Sequence, residues 1–383
     1  MRICFVYGGK DKTDGGVGFL RNLASSLQEE GHTCIAIVGD RSDPLLDGAV
    51  NQEFHVKGTW SLGFGAAERD GIRQMWNAFK QAEPDIVHVI HPCGGFGVQG
   101  HIHALPVIWR RASLVTTFWG LNVGPKATWR ARVVVPLLLW GSREVAAHDF
   151  GLMKYLKYFS LGLRQIHFLP VGSNISLETW ALDQNRDELR RRFGWAPGVY
   201  YLAYFGGFDA GRGLDSLFQC VSILSQRGLR VKLLLVGWQR HLTNPLFTPV
   251  LAAIKRYGIS EKVQLTPYAP ADEVAVLLRA ADICVFPFLR NPVGRSSVIG
   301  ALSVGAAIVL ASTISDLGPI DHAVKQVPPG SPWRLAATIE SLLKDPEECE
   351  ILRKRARQVW LDNFTWSKIA AMHLRVYQQV VGQ

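Results

Sequence analysis

The 383-residue chain is predicted to be an α/β protein of two doubly wound domains facing each other across a cleft. Three observations carry this prediction. Apolar strands alternate with amphipathic helices through both halves of the chain. Strand repeatedly gives way to helix through a glycine-bearing or polar turn. The length, with 48% hydrophobic residues, is enough to bury two cores of ordinary size. No short-period repeat is present, yet the two halves read alike.

The clearest unit spans 282–316. Asp282 leads into an apolar strand, Ile283 to Phe286, followed by a polar turn from Arg290 to Ser297. A small-residue helix follows from Val298 to Val304, Gly305 closes it, and a second apolar strand runs from Ala306 to Ala311. Such a βαβ unit aims the free N–H groups of its helix at whatever lies beyond the carboxyl end of the first strand. Arg290, Asn291, Gly294, Arg295, Ser296 and Ser297 therefore suit a phosphate-bearing ligand. Read more plainly, Ser296 and Ser297 are helix caps, and Arg212 a solvated turn residue.

The N-terminal half opens with the same logic. Arg2 to Tyr7 reads as a strand, and Phe19 to Glu30 as an amphipathic helix ending at Gly31. Between them, Asp14-Gly15-Gly16-Val17-Gly18 allows close backbone approach to a ligand. The spacing is not GxGxxG and no acid stands clearly at the ribose position, which disfavours a nicotinamide cofactor. Thr33 to Val38, Ile86 to Ile90, Leu114 to Phe118 and Gln165 to Leu169 read as further strands, with a helix at Gly71 to Gln81. The turns Pro92 to Gly100 and Trp119 to Asn122 follow strand carboxyl ends, where open sheets place ligands. His88, His91, His101 and His103 lack a carboxylate or Cys at helical ligand spacing, so packing or polar contact is favoured over a metal.

A polar stretch from Asp183 to Arg192 separates the halves, so 1–170 is expected to be one domain and 171–198 the connection. The second series, from 199, runs through strand Tyr200 to Phe205, turn Gly206 to Gly213, helix Leu214 to Gln226 and strand Lys232 to Val236. It continues with helix Thr248 to Tyr257, strand Val263 to Leu265 and helix Asp272 to Ala280.

The formal charge is +10, and most of the excess is local. Nine basic residues against two acidic ones lie between Arg110 and Arg164, among them Lys154, Lys157 and Arg164. Trp119, Trp129, Trp140, Tyr155, Tyr158 and Phe159 interleave with them. This mixture suits an anionic bilayer surface, and ordinary packing with solvated cations is the competing reading. No nucleic-acid recognition motif accompanies it. Six scattered cysteines without a CxxC pair read as reduced core thiols of a cytoplasmic protein. MRICFVYGG lacks the features of a signal peptide, and no stretch approaches the roughly 18 apolar residues of a membrane span. The expected location is cytoplasmic, peripheral on the inner face of the membrane.

Taken together, these stretches resemble glycosyltransferase family 4, the retaining nucleotide-sugar transferases of GT-B fold, along nearly the whole chain. GGVGFLRNLASSLQEEGH looks like the family's glycine loop and first helix, PDIVHVIH and SLVTTFWGLN its middle N-domain strands, and HFLPVGSN its inter-domain turn. YFGGFDAGRGLDSL, LLLVG, VQLTPYAPADEVAVLLRAADICVFP and SSVIGALSVGAAIV follow the family's order in the C-domain. FTWSKIAAMHLRVYQQV resembles the C-terminal helix that crosses back. The resemblance implies two Rossmann-like domains: an acceptor domain at 1–170, a donor domain at 199–358, and a returning helix at 359–383.

It also implies residue roles. The family's phosphate-holding Arg and Lys fall on Gly207 and Arg212, so one cation survives, able to grip phosphate oxygens bidentately. The two donor-sugar glutamates fall on Asn291 and Ile299, or on Pro292 and Gly300, depending on the alignment. Neither yields an acid, and none exists between Ile283 and Ser315. On this reading Arg212 and Arg295 stabilise the leaving diphosphate, with Gly16, Val17, Gly207, Gly294, Ser296 and Ser297 around the phosphates. Arg290 and Asn291 meet the sugar, and Tyr268 meets the nucleobase. Trp119, Asn122 and His91 face the acceptor, with Asn122 where some members carry Asp. No cofactor and no metal is expected, and the leaving phosphate itself takes the acceptor's proton. The expected partners are a nucleotide sugar and a lipid-linked, glycan or small-molecule acceptor, for instance in polysaccharide biosynthesis. A catalytically silent sugar-nucleotide-binding or scaffolding subunit is the reading from another class, motivated by the missing glutamates. An epimerase is less favoured, because it wants carboxylates for proton transfer.

Overall fold

The computed structural model describes residues 1–8, 15–39, 45–56, 66–91, 113–119, 129–175, 185–208, 210–236, 247–266, 270–289 and 294–382. The chain forms two compact units, Met1–Val171 with Trp366–Gln383, and Gly172–Thr365.

The first unit holds strands β1 (Arg2–Val6), β2 (Thr33–Gly39), β3 (Gln52–Val56), β4 (Ile86–His91), β5 (Ser113–Phe118), β6 (Glu144–Ala147) and β7 (Ile166–Phe168). Helices α1 (Gly15–Glu29), α2 (Ala66–Ala82), α3 (Trp129–Gly141) and α4 (Phe150–Phe159) alternate with them. The strands pair in parallel in the order β3-β2-β1-β4-β5-β6-β7. Parallel pairing explains why β4 is buried along its whole length and almost continuously apolar: both faces are covered. Strand β3, sequence QEFHV, is the polar edge. It and β6 escape the sequence reading because they are short and carry polar residues.

The second unit begins with α5 (Arg186–Arg192), a helix within the polar stretch that the sequence reads as connection. Asn185 caps it, completing a capping box with Glu188. Then follow β8 (Tyr200–Phe205), α6 (Leu214–Gln226), β9 (Val231–Val236), α7 (Phe247–Arg256), β10 (Val263–Leu265), α8 (Ala271–Ala280) and β11 (Ile283–Phe286). The unit ends with α9 (Ser296–Ser303), β12 (Ile308–Ala311), β13 (Lys325–Val327), α10 (Pro332–Lys344) and α11 (Pro346–Asn363). Its sheet is again parallel, in the order β10-β9-β8-β11-β12-β13. In both sheets the strand order reverses beside the first strand, between β1 and β4 and between β8 and β11. Such switch points open a crevice at the carboxyl ends of the strands.

Helix α2 starts at Ala66, five residues before the expected Gly71, and two further helices start early for a reason of their own. Helix α1 begins at Gly15 rather than Phe19, and α9 at Ser296 rather than Val298. The residues read as loop form the first turn, where glycine and serine are tolerated because that turn is judged by its surroundings rather than by propensity. Gly305 closes α9 in the left-handed conformation, as expected, with φ +65°. Among the described residues no helix is long and apolar enough to cross a membrane. Cys4, Cys34, Cys220, Cys284 and Cys349 are buried free thiols.

The chain returns to the first unit as α12 (Trp366–Val381). This helix buries a polar cluster against the sheet. His88 of β4 is hydrogen-bonded through Nδ1 to the Tyr377 hydroxyl at 2.7 Å and through Nε2 to the Thr117 hydroxyl at 2.8 Å. The His373 Nδ1–H donates to the Ile369 carbonyl at 2.8 Å, leaving Nε2 buried as a bare lone pair. Burial pushes the His373 pKa down to about 4 and that of His88 well below its ordinary value. Both imidazoles are thus neutral when folded, whereas in the unfolded chain they take up protons below about pH 6.5. The stability they contribute is complete above that pH and falls as pH drops towards 4. From pH 7 to pH 5 the chain is expected to lose on the order of 2 kcal/mol through His373 alone. Thermal unfolding at the two pH values measures the loss, and His373→Gln should flatten it.

Candidate active site

The turn after β8 and the turn after β11 meet at the second unit's switch point, and one glycine shows how closely. Gly213 caps α6 at φ +70°, and a methyl group there would lie 1.8 Å from the Pro287 carbonyl oxygen. The Leu289 N–H donates to the Gly211 carbonyl at 3.1 Å. This backbone contact carries Arg212 to Phe288, whose ring is fully buried. The Arg212 guanidinium lies 5.8 Å from the ring centre and the Arg295 guanidinium 5.4 Å from the same centre. The cations at 212 and 295, far apart in sequence, are therefore held at one aromatic platform.

Arg295 also stands at the start of α9. The N–H groups of Val298 and Ile299 close onto the Arg295 carbonyl at 3.0 and 3.2 Å, and no side chain caps the helix. By helix geometry the N–H groups of Ser296 and Ser297 have no intrahelical acceptor. Neither serine is the cap, so the plain reading of both as caps does not hold. Ser296 is exposed and Ser297 buried. A methyl group at Gly206 would lie 3.7 Å from the Ser297 hydroxyl, which places the end of β8 against the first turn of α9. The Tyr204 hydroxyl donates to the Gly207 carbonyl and shapes that turn. Gly207 is itself exposed. Two guanidinium groups and the positive end of a helix thus gather at the strand carboxyl ends, an arrangement suited to a diphosphate. A cavity of about 550 Å³ opens at Gly213 and Leu289, walled by Phe208, Leu214, Phe218 and Val250.

Helix α9 is supported from behind by the segment that opens the second unit. A methyl group at Gly300 would lie 2.6 Å from the Ile175 side chain. The Ser173 hydroxyl receives the Ile175 N–H at 3.0 Å, which turns this segment against the helix. Phe288, Tyr204, Gly213 and Ser173 were not foreseen as site-forming. FPFL reads as the end of an apolar strand, and nothing local marks its second Phe as a platform.

In the first unit, Gly16 lies where a methyl group would come within 1.9 Å of the Tyr7 hydroxyl and 2.9 Å of the Trp119 ring. Gly16 and Val17 are buried in the first turn of α1. Trp119 packs edge-on against Phe19 at 5.0 Å, and its N–H donates to the His91 carbonyl at 2.5 Å. Gly16, Trp119 and His91 are thereby brought to the carboxyl ends of β1, β5 and β4. The His91 ring is 1% exposed and packs on Phe118, so it is a packed residue rather than one presented to solvent. Asn122, Tyr268, Arg290 and Asn291 lie outside the described residues.

Within the basic aromatic segment, residues 135–164 form a surface of this unit, and Arg110, Arg111 and Lys126 lie outside the described residues. Val135, Leu138 and Leu139 of α3 and Leu156 of α4 share one core cluster. The outward residues are apolar too: Leu137, Trp140, Tyr155 and Phe159 are exposed, as are Tyr158 (82%), Leu161 (82%) and Leu163 (73%). Leu161 sits at φ +52°, a conformation unfavourable for a side-chain-bearing residue. Arg164 Nη2 donates to the Ser142 and Arg143 carbonyls at 2.5 and 3.0 Å, tying the turn after α4 to the end of α3. Lys154, Lys157 and Arg143 are exposed around this patch.

Replacing Gly213 by Ala should lower the melting temperature by several degrees, since left-handed strain and a clash with the Pro287 carbonyl each cost about 1–3 kcal/mol. Calorimetry of the variant measures this. A melting point within a degree of the parent would mean that the 210–213 turn is not held against 287–289.

Comparison with known proteins agrees with this architecture. Residues 185–359 match the family model for glycosyl transferases group 1. The 2-deoxystreptamine glucosyltransferase of Streptomyces kanamyceticus is 26% identical over 207 residues, which span 51% of this chain and 50% of that protein. This chain therefore spans only half the length of that relative. Sucrose-phosphate synthase from Thermosynechococcus elongatus superposes with a TM-score of 0.78 at 17% identity, over 99% of each chain. Anabaena HepE in complex with UDP superposes with a TM-score of 0.75 at 16% identity, over 99% of this chain and 100% of that one. The protein consists of two parallel-sheet Rossmann-like domains of GT-B type, and its residues 185–359 resemble the glycosyl transferases group 1 domain.

Proposed function

We propose that the protein is a glycosyltransferase that moves a sugar from a nucleoside-diphosphate donor to an acceptor, with retention of configuration and without a metal, in the manner of family 4. The single observation that carries this reading is the pair of guanidinium groups, Arg212 and Arg295, held at the Phe288 ring beside the N-terminus of α9. When the bond between sugar and phosphate breaks, negative charge develops on the departing diphosphate. Two cations and the Ser296 and Ser297 N–H groups, fixed in advance, stabilise that charge more in the transition state than in the ground state. The leaving phosphate oxygen then takes the acceptor hydroxyl's proton, so no carboxylate base is required between Ile283 and Ser315. Arg295 supplies the second cation that family members carry where this chain has Gly207. HepE is solved with UDP and with UDP-glucose, which supports a sugar nucleotide as donor and puts the uridine series first for testing.

The acceptor is proposed to be lipid-linked or a polysaccharide, met at the cytoplasmic face of a membrane. The exposed Tyr158, Leu161 and Leu163 beside Lys154, Lys157 and Arg143 support this location. Aromatic and aliphatic tips enter the headgroup layer while each nearby cation adds about 1 kcal/mol on an anionic leaflet.

Thermal-shift titration with nucleoside diphosphates should reveal one base that stabilises the chain. Arg212→Ala and Arg295→Ala should each weaken that ligand at least tenfold and slow sugar release by about 10²–10³-fold. Affinity within twofold of the parent would refute the diphosphate role, and binding without turnover in the presence of acceptors would favour a silent binding subunit. For the membrane, the full chain should float with phosphatidylserine vesicles in low salt and be released at high salt. Changing Tyr158, Leu161 and Leu163 together to Ser should abolish flotation and leave diphosphate affinity intact. Flotation unchanged by these substitutions would remove the patch from the reading.

A further inference from the structure

A second electropositive cavity lies in the Gly172–Thr365 unit, at the other end of its sheet. The diphosphate cradle follows the carboxyl ends of β8 and β11, whereas Asp282 and Gly305 precede β11 and β12. Near them opens a cavity of about 610 Å³ lined by Arg186, Arg279, Arg353, Lys354 and Arg357, with Glu350 and Asp187 as its acidic residues. Its volume falls within the range of small-molecule sites.

Part of this charge has a structural account. Helices α8 and α9 end here, and each presents about half a negative charge in its unsatisfied carbonyls. Arg186 donates to the carbonyls of Arg279, Ala280 and Ala281 at 3.2, 3.2 and 2.7 Å, Arg279 to that of Val304 at 3.1 Å, and Arg357 to that of Ser303. Asp282 accepts from Arg186 at 3.4 Å, and also from Arg190 at 2.7 Å and from the Tyr201 N–H at 2.7 Å. The cations nevertheless exceed this demand. Five cavity cations, with Arg190 behind them, face three carboxylates, Asp187, Glu350 and Asp282, and two helix ends. Arg353 reaches the Asp282 carbonyl at 3.1 Å and Glu350 at 3.5 Å, while its Nε–H is buried without a hydrogen-bond partner. Lys354 is exposed at the rim and appears in no ion pair among the described residues. Burial holds Arg186, Arg279 and Arg357 below the ordinary arginine range, and neighbouring guanidinium groups add to the lowering. Like charges kept close and partly dry invite a multivalent anion, and guanidinium forks match phosphate oxygens.

We propose that this cavity is a second anion site, binding the phosphate groups of a small phosphorylated metabolite through Arg353, Lys354 and Arg357. It is separate from the diphosphate cradle and independent of the glycosyl-transfer reading. A ligand here bridges α11 to the ends of α8 and α9, the helices that flank β11, and so bears on the strand whose following turn carries Phe288.

The probe is pyrophosphate, titrated by calorimetry into the full chain carrying Arg212→Ala and Arg295→Ala, at constant ionic strength held with sodium chloride. The expected result is saturable binding that persists in this cradle-disabled chain and weakens at least fivefold on adding Lys354→Glu or Arg353→Gln. Lys354→Glu alters an exposed residue outside the helix-end hydrogen bonds, so it keeps the test meaningful if Arg353→Gln impairs folding. Binding lost with the cradle substitutions alone would overturn the proposal, as would binding indifferent to both cavity variants or matched by chloride at equal ionic strength.

Discussion

Parallel strand pairing is the constraint on which the rest of the structure depends. Every described strand pairing in both sheets is parallel, so within each sheet all strands end on the same side, and the helix that follows a strand starts there. Positive helix ends and polar turns are thereby collected at one end, and helix C-termini at the other. The second unit uses both ends. Its carboxyl side gathers Arg212, Arg295 and the start of α9, while its amino side draws arginines to the carbonyls that end α8 and α9. Electropositive character at opposite ends of one sheet has two origins: cations gathered beside a helix N-terminus, and cations called in by helix C-termini.

The cradle is built from backbone approach more than from side-chain chemistry. Gly213 lets one turn touch the Pro287 carbonyl, Gly300 lets α9 sit on Ile175, and Gly16 lets α1 sit under Tyr7 and Trp119. In each case a methyl group would overlap a neighbour, so the spacing between elements is set by the absence of a side chain. The platform that positions the cations is a buried phenylalanine ring, which needs no charged partner to stay in place.

The exposed apolar turn after α4 is the part of the first unit that folding alone does not account for. The inner faces of α3 and α4 complete a core cluster, and burying Leu161 or Leu163 is not needed to finish it. An apolar surface kept in water at an unfavourable backbone angle costs free energy, and the proposed membrane contact would offset that cost. The cations beside it give that contact a preferred sign.

The alternation of apolar strands and amphipathic helices by itself determined the fold class, because burial on both faces of a parallel sheet imposes continuous apolar runs of strand length. It equally determined Arg212 and the Arg295-Ser296-Ser297 turn as candidates, since each follows a strand end where helix N–H groups point. Polar edge strands such as β3 and β13 were not legible, because half of each strand faces water and carries no apolar signature. Only the tertiary structure decided that Arg212 and Arg295 share the Phe288 ring, that His91 is packed rather than presented, and that arginines from α5, α8 and α11 meet in one cavity. These are contacts between residues tens of positions apart, fixed by the crossover of parallel strands, and no local pattern of side chains encodes which distant turn will be the neighbour.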